Sequence, residues 1–228
     1  MKKIIYLVIS FLTLTLFFTS CSSSNDSNLL SLNEFIESED NIPDITILSP
    51  VTLSNNDMFP INGQHQYLRL KMVKGIYYED WSPGAHVGPQ WEGYYTIELT
   101  DEYGNSIAET DLSRIYKESL LFNAPFEIQF DDYNNDGNMD FTIGQYTTSN
   151  GRDYKLFTLR ADGKVEELII KDYSSLFIST TTGYYSTKLT IIENGSFKIE
   201  YYDNSQEKYF EDVFKWDGNK FIKADRNN

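Results

Sequence analysis

The chain is poor in the side chains around which most enzymes are built. Its 228 residues hold one cysteine, Cys21, and two histidines, His65 and His86. A single thiol cannot close a disulfide within the chain. No H-E-x-x-H, no G-x-S-x-G and no phosphate-cradling glycine-rich loop is present. An enzyme is therefore the less favoured expectation. Carboxylate pairs are plentiful, but only a folded cleft can set two of them across a glycosidic bond. Basic residues are also scarce: 19 Lys and Arg stand against 34 Asp and Glu, a formal net charge of −15. Such a charge repels phosphate backbones and anionic lipid surfaces, so no nucleic acid partner is expected. Long apolar runs are nearly missing as well. The uncharged stretch from Ile4 to Phe18 follows Lys2 and Lys3, the order of a signal peptide. As a helix it would rise about 22 Å, short of the ~30 Å hydrocarbon core of a bilayer.

The segment that follows, Phe18-Thr19-Ser20-Cys21, resembles a bacterial lipobox, with Phe18 where leucine is usual and the small Ser20 retained before the cysteine. The resemblance implies that residues 1–20 are removed and that the thiol of Cys21 is acylated. The protein would then be extracytoplasmic, held to a bacterial membrane by its lipid anchor alone. Residues 21–30 begin Cys-Ser-Ser-Ser-Asn-Asp-Ser-Asn, small and polar, and read as a flexible tether. Residues 31–228 remain as one β-rich domain.

What the chain does have is aromatic residues, 17 Tyr and 15 Phe, which favour pleated surfaces. Period-two alternation recurs at Leu68-Leu70-Met72, Tyr95-Ile97-Leu99, Phe126-Ile128-Phe130, Phe141-Ile143 and Phe197-Ile199-Tyr201. Turn signals centred on Gly104, Gly163, Gly195 and Gly218 predict hairpins. The sum is a mainly β chain, an antiparallel meander of about ten strands forming an open meander, a sandwich or a propeller-like fragment. Two short helices are expected. Ser31-x-x-Glu34 forms a capping box, and Leu112, Ile115, Tyr116 and Leu120 recur at helical spacing behind Asp111, predicting a helix over 112–121.

Between two alternating segments stands Asp132-x-Asn134-x-Asp136-Gly137-x-x-Asp140. A calcium ion takes six to eight oxygens, and a tight loop with side chains at alternating positions can supply them. Asp132, Asn134, Asp136 and Asp140 offer side-chain oxygens, the carbonyl of Asn138 is a natural further ligand, and Gly137 permits the bend. Without a cation these carboxylates and Asp131 repel one another. The stretch resembles the calcium loops of FG-GAP and VCBS repeats, which implies calcium as cofactor and ligand roles for Asp132, Asn134, Asp136, Asn138 and Asp140. An EF-hand fits less well, because Ile143 occupies the twelfth position where a bidentate Glu belongs.

A second concentration of chemistry lies in the segment 75–95, where Tyr77, Tyr78, Trp81, Trp91, Tyr94 and Tyr95 surround His86. It reads as a long Gly/Pro-broken loop whose rings close the core, or whose Trp81, His86, Trp91 and Tyr94 bind a ligand. The function expected is a binding or interaction module at the cell surface, with a cell-envelope glycan or protein as partner. The alternatives are a carbohydrate-binding protein or glycan-acting enzyme using the aromatic loop, and a purely structural envelope lipoprotein.

Overall fold

Alternating apolar residues and glycine turns organise the chain into antiparallel sheets, as seen in a computed structural model that describes residues 44–179 and 184–225. The signal segment, Cys21, the tether and the helix expected at Ser31 lie outside the described residues. The first sheet contains β1 (Ile45–Ile47), β2 (Val51–Asp57), β3 (Gln66–Asp80), β4 (Gly88–Asp101), β5 (Ser106–Asp111) and β6 (Leu120–Phe122). The second contains β7 (Phe130–Asp131), β8 (Met139–Thr148), β9 (Gly151–Leu159), β10 (Val165–Glu167) and β11 (Leu176–Ile178). The third is a four-stranded meander of β12 (Thr190–Glu193), β13 (Ser196–Asp203), β14 (Lys208–Trp216) and β15 (Phe221–Lys223). Every strand pairing among them is antiparallel. The protein is thus mainly β, without a closed barrel. All four glycine turns join the strands that the sequence pattern assigns to them.

Two apolar clusters sit on opposite faces of the second sheet. Phe141, Ile143, Phe157 and Leu159 pack with Leu68, Leu70, Tyr95 and Ile97 of the first sheet. Tyr154 and Leu156 pack with Phe197, Phe214 and Phe221 of the third. Alternate residues of β9 therefore serve two different cores. A sheet covered on both faces cannot keep one polar face, and β8 is buried continuously from Asp140 to Gly144. Aromatic contact stabilises the stack: Phe141 lies over Phe157 with centroids 5.6 Å apart and planes 21° apart. Each such buried ring contributes roughly 1.5–3 kcal/mol relative to exposure. Gly144 is required by close approach, since a Cβ there would come within 2.3 Å of the Tyr154 ring.

The structure departs from the sequence pattern in three places. Among the described residues fifteen strands form rather than about ten, because several pair over only two to four residues. No helix covers 112–121. Asp111 does cap a turn, its carboxylate accepting the Ser113 N–H at 2.9 Å, but the turn is a 3-10 helix of three residues, Leu112–Arg114. The chain then extends, so that Leu120–Phe122 pair with Gly93, Glu92 and Trp91 of β4. One turn followed by a strand buries both Leu112 and Leu120. A separate four-residue helix, α1 (Phe59–Asn62), connects β2 to β3. The third departure is that the segment 75–95 is not a long loop. Most of it is the β3–β4 hairpin, in which Tyr77 faces Trp91, and only residues 81–87 connect the strands. Among the described residues no helix is long and apolar enough to cross a membrane.

Candidate metal loop and aromatic cleft

The β7–β8 pair brings Phe130 opposite Phe141 and Asp131 opposite Asp140, so residues 132–138 form the connecting loop. The backbone turns through two left-handed positions, Asn135 at φ 57° and Gly137 at φ 86°. Nothing crowds Gly137, so its glycine answers to the dihedral angle rather than to space. The acidic side chains fold inward onto the loop's own amides. Asp132 accepts the N–H groups of Asp136 and Gly137 at 3.1 and 3.0 Å. Asn134 Oδ1 accepts the same Asp136 N–H at 3.1 Å, which brings oxygens of Asp132 and Asn134 to one nitrogen. Asp136 in turn accepts the backbone N–H of Asn138 at 2.9 Å and its side-chain amide at 3.0 Å. An ionised carboxylate has about four lone-pair sites, so these bonds leave acceptor capacity for a cation.

Asp140 differs from the other acids in its setting. It is fully buried. Its Oδ2 accepts the Tyr133 N–H at 2.9 Å and, at a longer 3.4 Å, that of Asn134. Its Oδ1 is buried beside the hydroxyl of Thr158, its cross-strand neighbour on β9, which favours the ionised carboxylate against its burial. Burial pushes the Asp140 carboxyl up to about 7. Asp136 goes the other way. Burial opposes its ionisation, but the amides of Asn138 and Asn134 and the Arg160 guanidinium hold it below the usual carboxylate range. Arg160 Nη1 lies 3.2 Å from Asp136 Oδ2 and is also paired with Glu166. Tyr133 anchors the loop from beneath, fully buried, with its hydroxyl accepting the Leu189 N–H at 3.1 Å.

These five positions are thus brought to one loop, with Asp132, Asn134 and Asp136 tied together by its amides. Among the described residues, however, no three His, Cys, Asp or Glu side chains are gathered as a metal-holding group.

The aromatic candidates have different neighbours and do not form one site. Trp81 is 66% exposed, its indole N–H donating to Glu79 at 2.9 Å, while the Tyr77 hydroxyl donates to the other oxygen of Glu79. Trp91 packs on the core of the first two sheets and against Tyr77, ring centroids 5.2 Å apart. Tyr94 is exposed opposite Lys74. His86 meets the edge of Tyr146 at 4.8 Å, and its Nδ1 is buried without a partner. Burial first, then the charge of Arg152, holds its imidazole below the usual histidine range.

A cleft of about 960 Å³ lies elsewhere, against Phe126, Tyr184, Tyr185 and Arg152. A smaller one of about 380 Å³ adjoins it and shares Ala85, Arg152 and Tyr184. The guanidinium carbon of Arg152 stands 4.6 Å from the Tyr184 ring centroid, 5.4 Å from Tyr185 and 5.8 Å from Tyr146. Among the described residues no carboxylate pairs with it, although the protein is strongly acidic. Sequence reasoning missed this arrangement. Tyr146 and Arg152 are cross-strand partners, which hairpin register could have suggested, but Tyr184 and Tyr185 arrive from a distant segment with no local signal.

Comparison with known proteins finds no match among protein-family models, curated proteins or solved structures.

Proposed function

We propose that the chain is an exported, lipid-anchored, β-rich protein that acts outside the cytoplasm as a binding or interaction module, with one structural calcium ion in the 132–140 loop. The observation that carries the calcium reading is the full burial of the Asp140 carboxylate, whose Oδ1 has no close donor beyond the neighbouring Thr158 hydroxyl. An ionised carboxylate in that position is costly unless a charge or donor meets it. Asp132, Asn134, Asp136 and Asp140, with the carbonyl of Asn138, would hold the ion. Calcium would supply charge neutralisation and stiffen the loop between β7 and β8. A weak site suffices, because extracellular modules bind calcium at about 10⁻⁴–10⁻³ M. The lipobox-like Phe18-Thr19-Ser20-Cys21 supports export and anchoring.

Thermal melting with calcium and with EDTA tests the metal. Calcium is expected to raise the transition, and Asp136→Ala to abolish that response. If neither chelation nor the substitution moves the melt, the calcium assignment is wrong. Fractionation of Cys21→Ala tests the anchor, which requires the variant to leave the membrane fraction.

A second reading, carbohydrate recognition by the β3–β4 hairpin, draws on Trp81, an exposed indole whose N–H is tied to Glu79. Glycan binding that survives Trp81→Ala unchanged would remove it.

A further inference from the structure

We propose that the Arg152 cleft is a subsite for a saccharide unit bearing a single carboxylate. The inference stands apart from the calcium loop and from the hairpin around Trp81. Tyrosine faces attract a guanidinium electrostatically but accept none of its N–H donors in the plane of the fork. Arg152 is held in place by three rings while no acceptor among the described residues takes its donors. A carboxylate is the planar partner that such a fork binds through two parallel hydrogen bonds.

The walls specify the rest of the ligand. Tyr184 and Tyr146 are 57% and 37% exposed, leaving aromatic surface for the apolar face of a pyranose ring. Asn123 and Gln129 border the larger cleft and carry side-chain amides suited to sugar hydroxyls. Its volume falls within the ~300–1,000 Å³ of small-ligand sites. Charge limits the ligand to one anionic group. Among the described residues Arg152 is the only cation on either cleft, Glu127 borders the larger one, and the chain as a whole carries −15. A polyanion or a phosphate dianion, which calls for clustered cations, fits this balance poorly.

Isothermal titration of the full chain with an oligosaccharide ending in glucuronic acid, and with its neutral methyl ester, tests the proposal. The acid is expected to bind, and esterification to weaken it about 10–100-fold, the loss of a charge-assisted hydrogen-bonded pair. Arg152→Gln should show a similar loss, Arg152→Lys a smaller one, and Tyr184→Ala should weaken acid and ester alike. Equal binding of acid and ester to the unaltered protein overturns the proposal without depending on whether any variant folds. So does an absence of binding by the acid, or capture by the same cleft of a short peptide through its C-terminal carboxylate in place of the sugar.

Discussion

At one end of the β8–β9 hairpin, carboxylates crowd a short loop and one of them is buried. At the other end a single guanidinium lies among tyrosine rings, with no carboxylate paired to it among the described residues. Asp140 and Tyr146 are six residues apart on β8, about 20 Å along a strand. One rigid pair of strands therefore holds two opposite electrostatic problems. The loop answers with its own amides and with Arg160, which spends its charge on Asp136 and Glu166. The cleft answers with neutral aromatic faces, which stabilise a cation while leaving its hydrogen-bonding edge unused. On the two proposals above, the ends would take ligands of opposite sign. Excess acceptors call for a cation, and excess donors call for an anion.

The largest expected effect comes from removing what both ends share. Phe157→Ala takes a fully buried ring from the middle sheet and should cost about 3–5 kcal/mol. Urea denaturation should show the loss, and both the calcium response and ligand binding should weaken together. If one end survives untouched, the two do not depend on a common scaffold.

A more selective change is Asp140→Asn, which keeps the shape and removes the buried charge. In the absence of calcium the variant should be more stable than the parent, by on the order of 1–3 kcal/mol, and calcium should no longer raise its melting temperature. A calcium response equal to the parent's would show that Asp140 does not face the ion.

Arg160→Gln removes the cation that competes for Asp136. Because Arg160 is partly exposed, the calcium-free protein should lose less than about 1 kcal/mol, while calcium binding measured by titration should tighten. Weaker binding in the variant would mean that Arg160 organises the loop instead of competing for it.

The smallest effect concerns His86, beside the cleft. Its folded pKa lies below the ordinary 6.5, so the unfolded chain takes up the proton first as pH falls. The contribution to stability is whole above that ordinary value and is lost as pH falls through the folded one. His86→Gln should flatten this part of a stability profile, read by melting temperature against pH. The groups that set the shift are the burial of the ring and the neighbouring Arg152.

Much of the fold was legible because its signals are local. Glycine turns at 104, 163, 195 and 218 end one strand and start the next, and period-two runs such as Leu68-Leu70-Met72 state which face is buried. The 112–121 segment misled because Leu112, Ile115, Tyr116 and Leu120 satisfy helical spacing, while the pairing of Leu120–Phe122 with β4 satisfies burial and backbone hydrogen bonds together. In the 75–95 segment, glycine and proline suggested a loop, yet the strand register runs through Gly75, Pro89 and Gly93. The acid loop was visible as a pattern of oxygens. That Asp140, of the loop's acids, is the fully buried one was not, since its burial depends on the sheet being covered from both sides. The Arg152 cleft was not legible at all.

By itself the amino-acid order determined the antiparallel strands, their turns and the oxygen-rich bend at 132–140, because period-two burial and turn chemistry act between near neighbours. Only the tertiary structure decided that Asp140 lost its solvent and that Arg152 came to lie among tyrosine rings. Those outcomes depend on which sheet covers which, and on Tyr184 and Tyr185 reaching β9 from a remote part of the chain, contacts that no short-range pattern encodes.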